Sequence, residues 1–106
     1  MNTYGLNERD MHTISGILSQ YSEIQNVLVF GSRAKGVYHE GSDIDLAIMD
    51  ENIQYQTLRD IKSDMSDSSL PYHVDLINFP TLTNQALKEH ILRVGKPLFL
   101  SLAQDF

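Results

Sequence analysis

The feature that most constrains this 106-residue chain is a basic turn with a glycine at each end, followed by two closely spaced acids. The turn is GSRAKG at 31–36, and the acids lie in SDIDLAI at 42–48. The turn follows VLVF at 27–30, whose β-branched and aromatic content predicts a strand. If the acidic segment is a second strand, Asp43 and Asp45 share one face and Ile44 lies on the other. We therefore expect two neighbouring strands with paired carboxylates beside the turn.

Paired carboxylates a few ångströms apart repel each other by about one to several kcal/mol unless a cation neutralises them or one is protonated. The chain has no cysteine, so thiolate metal sites and disulfides are excluded. Carboxylate oxygens favour a hard ion such as Mg²⁺, which also binds substrate phosphates. The pair therefore predicts a magnesium site that holds a phosphorylated substrate.

Composition limits the class of protein. An apolar content of 42% with 21% charged residues is typical of a globular domain, and the length predicts a single domain over 1–106. The formal charge of −6, with only eight Lys and Arg, argues against direct nucleic-acid binding. No apolar run approaches ~18 residues and the first residues do not resemble a signal peptide, so we expect no membrane contact and a cytoplasmic location.

Periodicity predicts helices on either side of the motif. Asn7 is a suitable N-cap for a helix over 8–21, and Ser32 for a short helical turn. A second long helix is expected over 54–66, with apolar positions that recur at helical spacing: Tyr55, Leu58, Ile61 and Met65.

The second half of the chain predicts a strand and a helix. Residues 72–78 alternate as a strand, which places Asp75 on the face of His73. Thr81 or Thr83 is expected to cap a helix that runs to residue 94, with Gly95 as its C-terminal glycine. An edge strand is expected at 98–100, and residues 98–102 are a candidate interface.

Asp75 can complete a three-acid site if its strand lies beside the strand of Asp45. Three carboxylates that hold two divalent ions suit an in-line phosphoryl or nucleotidyl displacement, in which Asp75 helps to deprotonate the acceptor hydroxyl. The backbone amides of Gly31 and Ser32 are expected to hold a polyphosphate. Arg33 and Lys35 are either charge partners of those phosphates or exposed charges.

Together these residues resemble the signature of the DNA polymerase beta-like nucleotidyltransferase superfamily. The signature is Gly31-Ser32, ten intervening residues, Asp43-x-Asp45, and Asp75 in a later strand. The small size and the run around it are similar to the minimal nucleotidyltransferases (MNT). The resemblance implies an α/β (α+β) fold with a small mixed sheet flanked by helices. It also implies magnesium bound by the three aspartates, and a nucleoside triphosphate bound by Gly31 and Ser32.

The resemblance also implies a partner. Minimal members are often encoded with a helical HEPN protein, and several such pairs resemble toxin and antitoxin. The implied function is transfer of AMP from ATP to a hydroxyl, a tyrosine, of a HEPN-type toxin in a heteromeric complex. Larger relatives that modify aminoglycosides carry an extra domain for the acceptor, and we expect no such domain within these 106 residues. A non-catalytic nucleotide-binding or masking subunit, and a transferase for a small-molecule hydroxyl, remain as alternatives.

Overall fold

A four-stranded mixed sheet forms the centre of the computed structural model, which describes residues 4–39 and 41–98. Its strand order is β3-β2-β1-β4, with β1 at Val27–Phe30, β2 at Ile44–Ile48, β3 at Val74–Asn78 and β4 at Lys96–Pro97. β1 runs antiparallel to β2 and β4, whereas β2 and β3 are parallel. The predicted α/β class and the pairing of the two motif strands are confirmed.

The helices are α1 at Glu8–Leu18, α2 at Gly31–Lys35, α3 at Tyr55–Ser66 and α4 at Gln85–Val94. A 3₁₀ turn at Phe79–Thr81 connects β3 to α4. In these described ranges no helix is long and apolar enough to cross a membrane. The predicted helix over 54–66 is confirmed almost to the residue. The helix predicted over 8–21 ends earlier, at Leu18. The amides of Gln20 and Tyr21 donate to carbonyls three residues before them and form turns.

One helix cap was predicted correctly and two were not. The Asn7 side chain accepts the amide of Asp10 at 2.8 Å, as expected. Ser32 lies inside α2, because that helix begins directly after β1 with Phe30 at the N-cap position. Neither Thr81 nor Thr83 caps α4; Asn84 does, accepting the amide of Leu87 at 3.0 Å. Thr81 belongs to the preceding 3₁₀ turn, where its hydroxyl donates to the Asn78 carbonyl.

The two faces of the sheet bury cores of different size. The larger core packs α1 and α3 against the face that carries Ile44, Leu46 and Ile48, all fully buried. The smaller core joins Phe30 and Ala47 to Ile91 of α4. The predicted alternation along β2 is therefore confirmed. Tyr55 was wrongly placed in the apolar stripe of α3, because its side chain is 74% exposed at the first residue of the helix.

The edge strand next to β1 lies earlier than predicted. Lys96 and Pro97 pair with Val29 and Leu28, and the chain then continues with the Leu98 amide bonded to the Val27 carbonyl at 2.9 Å. Leu98 is buried. The remainder of the predicted strand and interface, residues 99–102, lies outside the described residues.

Gly95 follows α4 as predicted, but for a different reason from the one the pattern suggested. Its φ of −62° is open to any residue, so no left-handed conformation demands glycine. A Cβ at this position would instead collide with the carbonyl oxygen of Ile91 and lie 2.9 Å from Cδ1 of Leu28. The glycine lets α4 turn tightly into β4 against the sheet.

We expect Gly95→Ala to lower the free energy of unfolding by about 1–3 kcal/mol, because the added methyl overpacks a backbone contact. The matched control is Gly16→Ala in α1, where a Cβ meets nothing within 4 Å. That change should stabilise the chain by about 0.5–1 kcal/mol through helix propensity. Urea unfolding of both variants measures the difference, and equal midpoints would contradict the steric explanation.

Candidate active site

Two of the predicted acids face each other across neighbouring strands. Asp45 of β2 lies opposite Asp75 of β3 and, on its other side, opposite Phe30 of β1. Residues paired across a sheet share a face, so both carboxylates lie on the side covered by α4. Asp43 immediately precedes β2 and is exposed. The register therefore brings Asp45 and Asp75 together at the end of the sheet where β1 ends and α2 begins.

Gly31 allows the Asp45 carboxylate to lie directly against the start of α2. The glycine has a φ of +72°, which disfavours any side chain. A Cβ there would overlap Oδ2 of Asp45 and lie 3.1 Å from its Cγ. In the structure, the space that a side chain would occupy is filled by the chain's own Asp45 carboxylate. Gly31 thus fixes the distance between the turn and the acids.

The surroundings of Asp45 disfavour its charged form. Burial is the largest cause, followed by the negative charges of Asp75 and Asp43, and together they raise the pKa of Asp45 to about 6. The positive charges of His73 and Arg33 act in the opposite direction. A cation at this position would relieve the repulsion, which agrees with the expectation from paired carboxylates.

A cavity of about 460 Å³ opens beside the acids. It is lined by Ser32 of α2, by Asp43 and Asp45, and by three residues of the intervening loop: His39, Gly41 and Ser42. Lys35 is exposed and does not line it. Asp75 does not line this cavity. Ser32 of the turn, Asp43 and Asp45 thus line one cavity, whereas Asp75 is placed beside Asp45 by the pairing of β2 with β3.

The residues fit a divalent cation in chemistry but are not arranged as a ligand group. Their donors are carboxylate oxygens, which suit Mg²⁺, and the charges of Asp75 and Asp43 add to the effect of burial in raising the pKa of Asp45. Yet in the part of the chain that the structure describes, no three His, Asp or Glu side chains are grouped closely enough to hold a metal ion. Metal binding would therefore require these carboxylates to reorient.

The structure contradicts one of the two expectations for Arg33, that of an exposed charge. Arg33 is 3% exposed, so it is not an exposed charge. Its guanidinium donates to the Ser42 carbonyl from Nε at 3.2 Å and from Nη2 at 2.8 Å, and to the Tyr4 carbonyl from Nη1 at 2.9 Å. It also lies over the rings of Tyr72 and Tyr38, at 4.6 and 5.3 Å from their centroids. Tyr38 and Ser42 lie only five and nine residues from Arg33, whereas Tyr4 and Tyr72 are distant in the sequence. No local pattern in the sequence signals these contacts.

The comparisons with known proteins agree with this geometry. The family model for polymerase beta nucleotidyltransferases matches residues 12–102. The chain is also 36% identical over 90 residues to the probable protein adenylyltransferase MntA of Haemophilus influenzae, covering 84% of this chain and 78% of that protein. The chain therefore belongs to the polymerase beta nucleotidyltransferase family. Within that family it is a minimal nucleotidyltransferase, as the motif predicted.

Solved structures confirm the fold. A toxin–antitoxin crystal structure with AMP-PNP superposes with a TM-score of 0.69 at 24% identity, covering 85% of this chain and 73% of that one. A complex of a tri-AMPylated Shewanella oneidensis HEPN toxin with its MNT antitoxin gives a TM-score of 0.63 at 21% identity, covering 90% and 73%. The mixed sheet flanked by helices is thus the polymerase beta-like nucleotidyltransferase fold.

We expect Gly31→Ala to destabilise the chain more than Gly36→Ala. Both glycines have positive φ, of +72° and +78°, so each alanine costs about 1–2 kcal/mol of backbone energy. Only at position 31 does the methyl also displace a carboxylate, since a Cβ at Gly36 meets nothing within 4 Å. Thermal unfolding of the two variants should show the larger loss for Gly31→Ala, and the reverse order would refute the close approach.

A second expectation concerns pH. Because the pKa of Asp45 is raised to about 6 from 3.8, the folded state holds more protons than the unfolded state between these values. Stability due to this group is therefore present below about pH 4 and is lost as pH rises through 6. In EDTA, Asp45→Asn should stabilise the chain by about 1 kcal/mol at pH 8, after allowance for partial solvent exposure, and by almost nothing near pH 4.

The matched substitution for this experiment is Asp67→Asn, on an exposed carboxyl after α3. It should leave the difference in melting temperature between the two pH values unchanged. A wild-type chain that is as stable as Asp45→Asn at pH 8 would show that the Asp45 charge is already compensated.

Proposed function

We propose that this chain is a magnesium-dependent nucleotidyltransferase that transfers AMP from ATP to a tyrosine hydroxyl of a HEPN-type toxin and so acts as its antitoxin. The observation that carries the proposal is the register of Asp45 against Asp75, beside Asp43 and the Gly31 turn, in a chain of this family. The MntA relative is named a probable protein adenylyltransferase, and one structural neighbour holds an AMPylated HEPN toxin. Both names support the proposal that the acceptor of AMP is a HEPN-type protein.

The triphosphate of ATP is assigned to the turn. Ser32 lines the same cavity as Asp43 and Asp45, so a phosphate held by Gly31 and Ser32 would lie next to the acids. Lys35, exposed in the last turn of α2, is available as an additional charge partner. Arg33 is given no phosphate contact, because its guanidinium already bonds two carbonyls and is covered by two rings.

Magnesium is assigned to Asp43, Asp45 and Asp75. When bound, two ions would stabilise the negative charge on the phosphates and on the leaving group. The physical reason to expect this cation is that Asp45 is partly buried beside two further carboxylates. Burial first, and then the charges of Asp75 and Asp43, raise the pKa of Asp45, and a bound cation would oppose these effects.

In the transfer step, the acceptor hydroxyl oxygen forms a bond to the α-phosphorus of ATP. The bond from that phosphorus to the bridging oxygen breaks, and pyrophosphate leaves with the electron pair. The hydroxyl proton passes to the carboxylate of Asp75 and from there to water. Asp75 is suited to this role because it lies across from Asp45 at the exposed edge strand of the sheet.

The acceptor is assigned to a partner because the donor cavity has few walls. In the ranges that the structure describes, its lining comes only from α2, the following loop and the start of β2. These residues could line a phosphate but form no enclosed pocket for a second small molecule. An acceptor that is presented on a folded partner would need no such pocket.

The test incubates the purified chain with α-labelled ATP, Mg²⁺ and its cognate HEPN-type protein. We expect label on a tyrosine of the partner, located by mass spectrometry. Asp43→Asn and Asp45→Asn should each reduce labelling at least about 1,000-fold, because the reacting phosphate would lose its charge stabilisation. EDTA should abolish labelling by the wild type.

The matched control is Glu51→Gln, which removes one exposed carboxylate beyond the opposite end of β2. It should retain full activity. Transfer that persists in both aspartate variants would disprove the mechanism, and neutralisation of the toxin without any label on it would favour a masking subunit instead.

A further inference from the structure

We infer that Arg33 is a positioning residue of this site: it fixes the loop that carries Asp43, through the Ser42 carbonyl, and does not bind phosphate. The inference rests on the proposed function for its activity measurements, but its structural content concerns the loop alone. From the sequence, Arg33 was expected to be either a charge partner of the phosphates or an exposed charge.

The loop between α2 and β2 has little structure of its own. Gly36 and Gly41 both have positive φ, at +78° and +88°, and Val37, Tyr38 and His39 are all exposed. Within the loop, the Ser42 amide donates to the His39 carbonyl at 3.0 Å and the Ser42 hydroxyl accepts the His39 amide at 3.0 Å. These local bonds shape the end of the loop, and just after Asp43 the Ile44 amide bonds the His73 carbonyl at 2.9 Å. The peptide before Asp43 has a separate attachment to the domain.

Arg33 supplies that attachment. Two of its nitrogens converge on the carbonyl of Ser42, the residue immediately before Asp43. A bifurcated, charge-assisted contact of this kind restrains both the position and the direction of the peptide that leads into Asp43. Ser42 is itself buried, at 8% exposure, which indicates a fixed peptide at this point.

Other elements hold the guanidinium in turn. Its remaining described hydrogen bond goes to the Tyr4 carbonyl, and Tyr72, just before β3, stacks on it at 4.6 Å. Tyr38 of the loop covers it at 5.3 Å. Arg33 therefore connects α2, the loop, the N-terminal turn and the approach to β3. Lysine would keep the charge but could not make the planar, forked contact.

The experiment compares Arg33→Lys with Tyr72→Leu, which removes the stacking ring but keeps an apolar side chain. We expect either variant to lower kcat for AMP transfer by about 10- to 100-fold, because Asp43 is displaced, with KM for ATP changed less than about threefold. The double variant should be no more than about twofold below Arg33→Lys, since both act on the same contact. Tyr72→Phe, which keeps the ring that stacks on Arg33, should retain wild-type activity.

A second measurement needs no activity. Amide hydrogen exchange of the peptide over 37–43 should quicken at least about tenfold in Arg33→Lys and Tyr72→Leu, while peptides from α1 and α3 keep their wild-type rates. The matched control is Arg59→Lys, since Arg59 also lies over a tyrosine, 5.9 Å from the Tyr55 ring, but is exposed in α3. It should change neither exchange nor kinetics.

A rise in KM for ATP with kcat preserved would overturn the inference and restore the phosphate contact. Unchanged exchange over 37–43 in Tyr72→Leu would also overturn it, even if Arg33→Lys proved unable to fold. A wild-type chain that transfers no AMP would refute the proposed function, whereas the exchange measurement would still decide the role of Arg33.

Discussion

The structure depends on keeping a carboxylate at the centre of a sheet next to another carboxylate. Asp45 belongs to an inner strand, with neighbours on both sides, so it cannot move away from Asp75 without breaking the ladder. The opposing face of the same strand consists of fully buried Ile44, Leu46 and Ile48. Their burial offsets the electrostatic repulsion, with each side chain contributing roughly 1.5–3 kcal/mol. The larger core thus stabilises a site whose charges would otherwise separate, as is typical of functional sites.

Sequence reasoning succeeded where a property is local. The VLVF run, the helical period over 54–66 and the cap at Asn7 all depend on residues within a few positions of one another, and the structure has all three. The pairing of Asp45 with Asp75 required more than local pattern, and it came from the resemblance to a family motif. The Asp-x-Asp spacing alone would not have indicated which strand lies beside β2.

Two of the unexpected findings have a shared physical cause, which is that a contributing contact lies far away in sequence. Arg33 bonds a carbonyl 29 residues before it, and nothing around GSRAKG reveals that partner. Gly95 is explained by the approach of Leu28 from another element and not by its own dihedral angles. The misplaced caps of α2 and α4 are different, because several suitable residues stood close together and tertiary packing selected one. The metal ligands stay a prediction, because the spacing of residues in the sequence does not determine how their side chains are oriented.

The contacts of Tyr4 have a consequence for how the molecule assembles. Its carbonyl accepts from Arg33, while its hydroxyl donates to the carbonyl of Pro97 at 2.8 Å, a contact across 93 residues of sequence. Through Arg33, the loop between α2 and β2 is thereby connected to a contact between the two ends of the described chain. Contacts between distant parts of a chain form slowly during folding, since chain entropy is lost before the contact is made. An affinity tag or truncation beside Tyr4 would therefore perturb the loop, although residue 4 lies far from every aspartate of the motif in sequence.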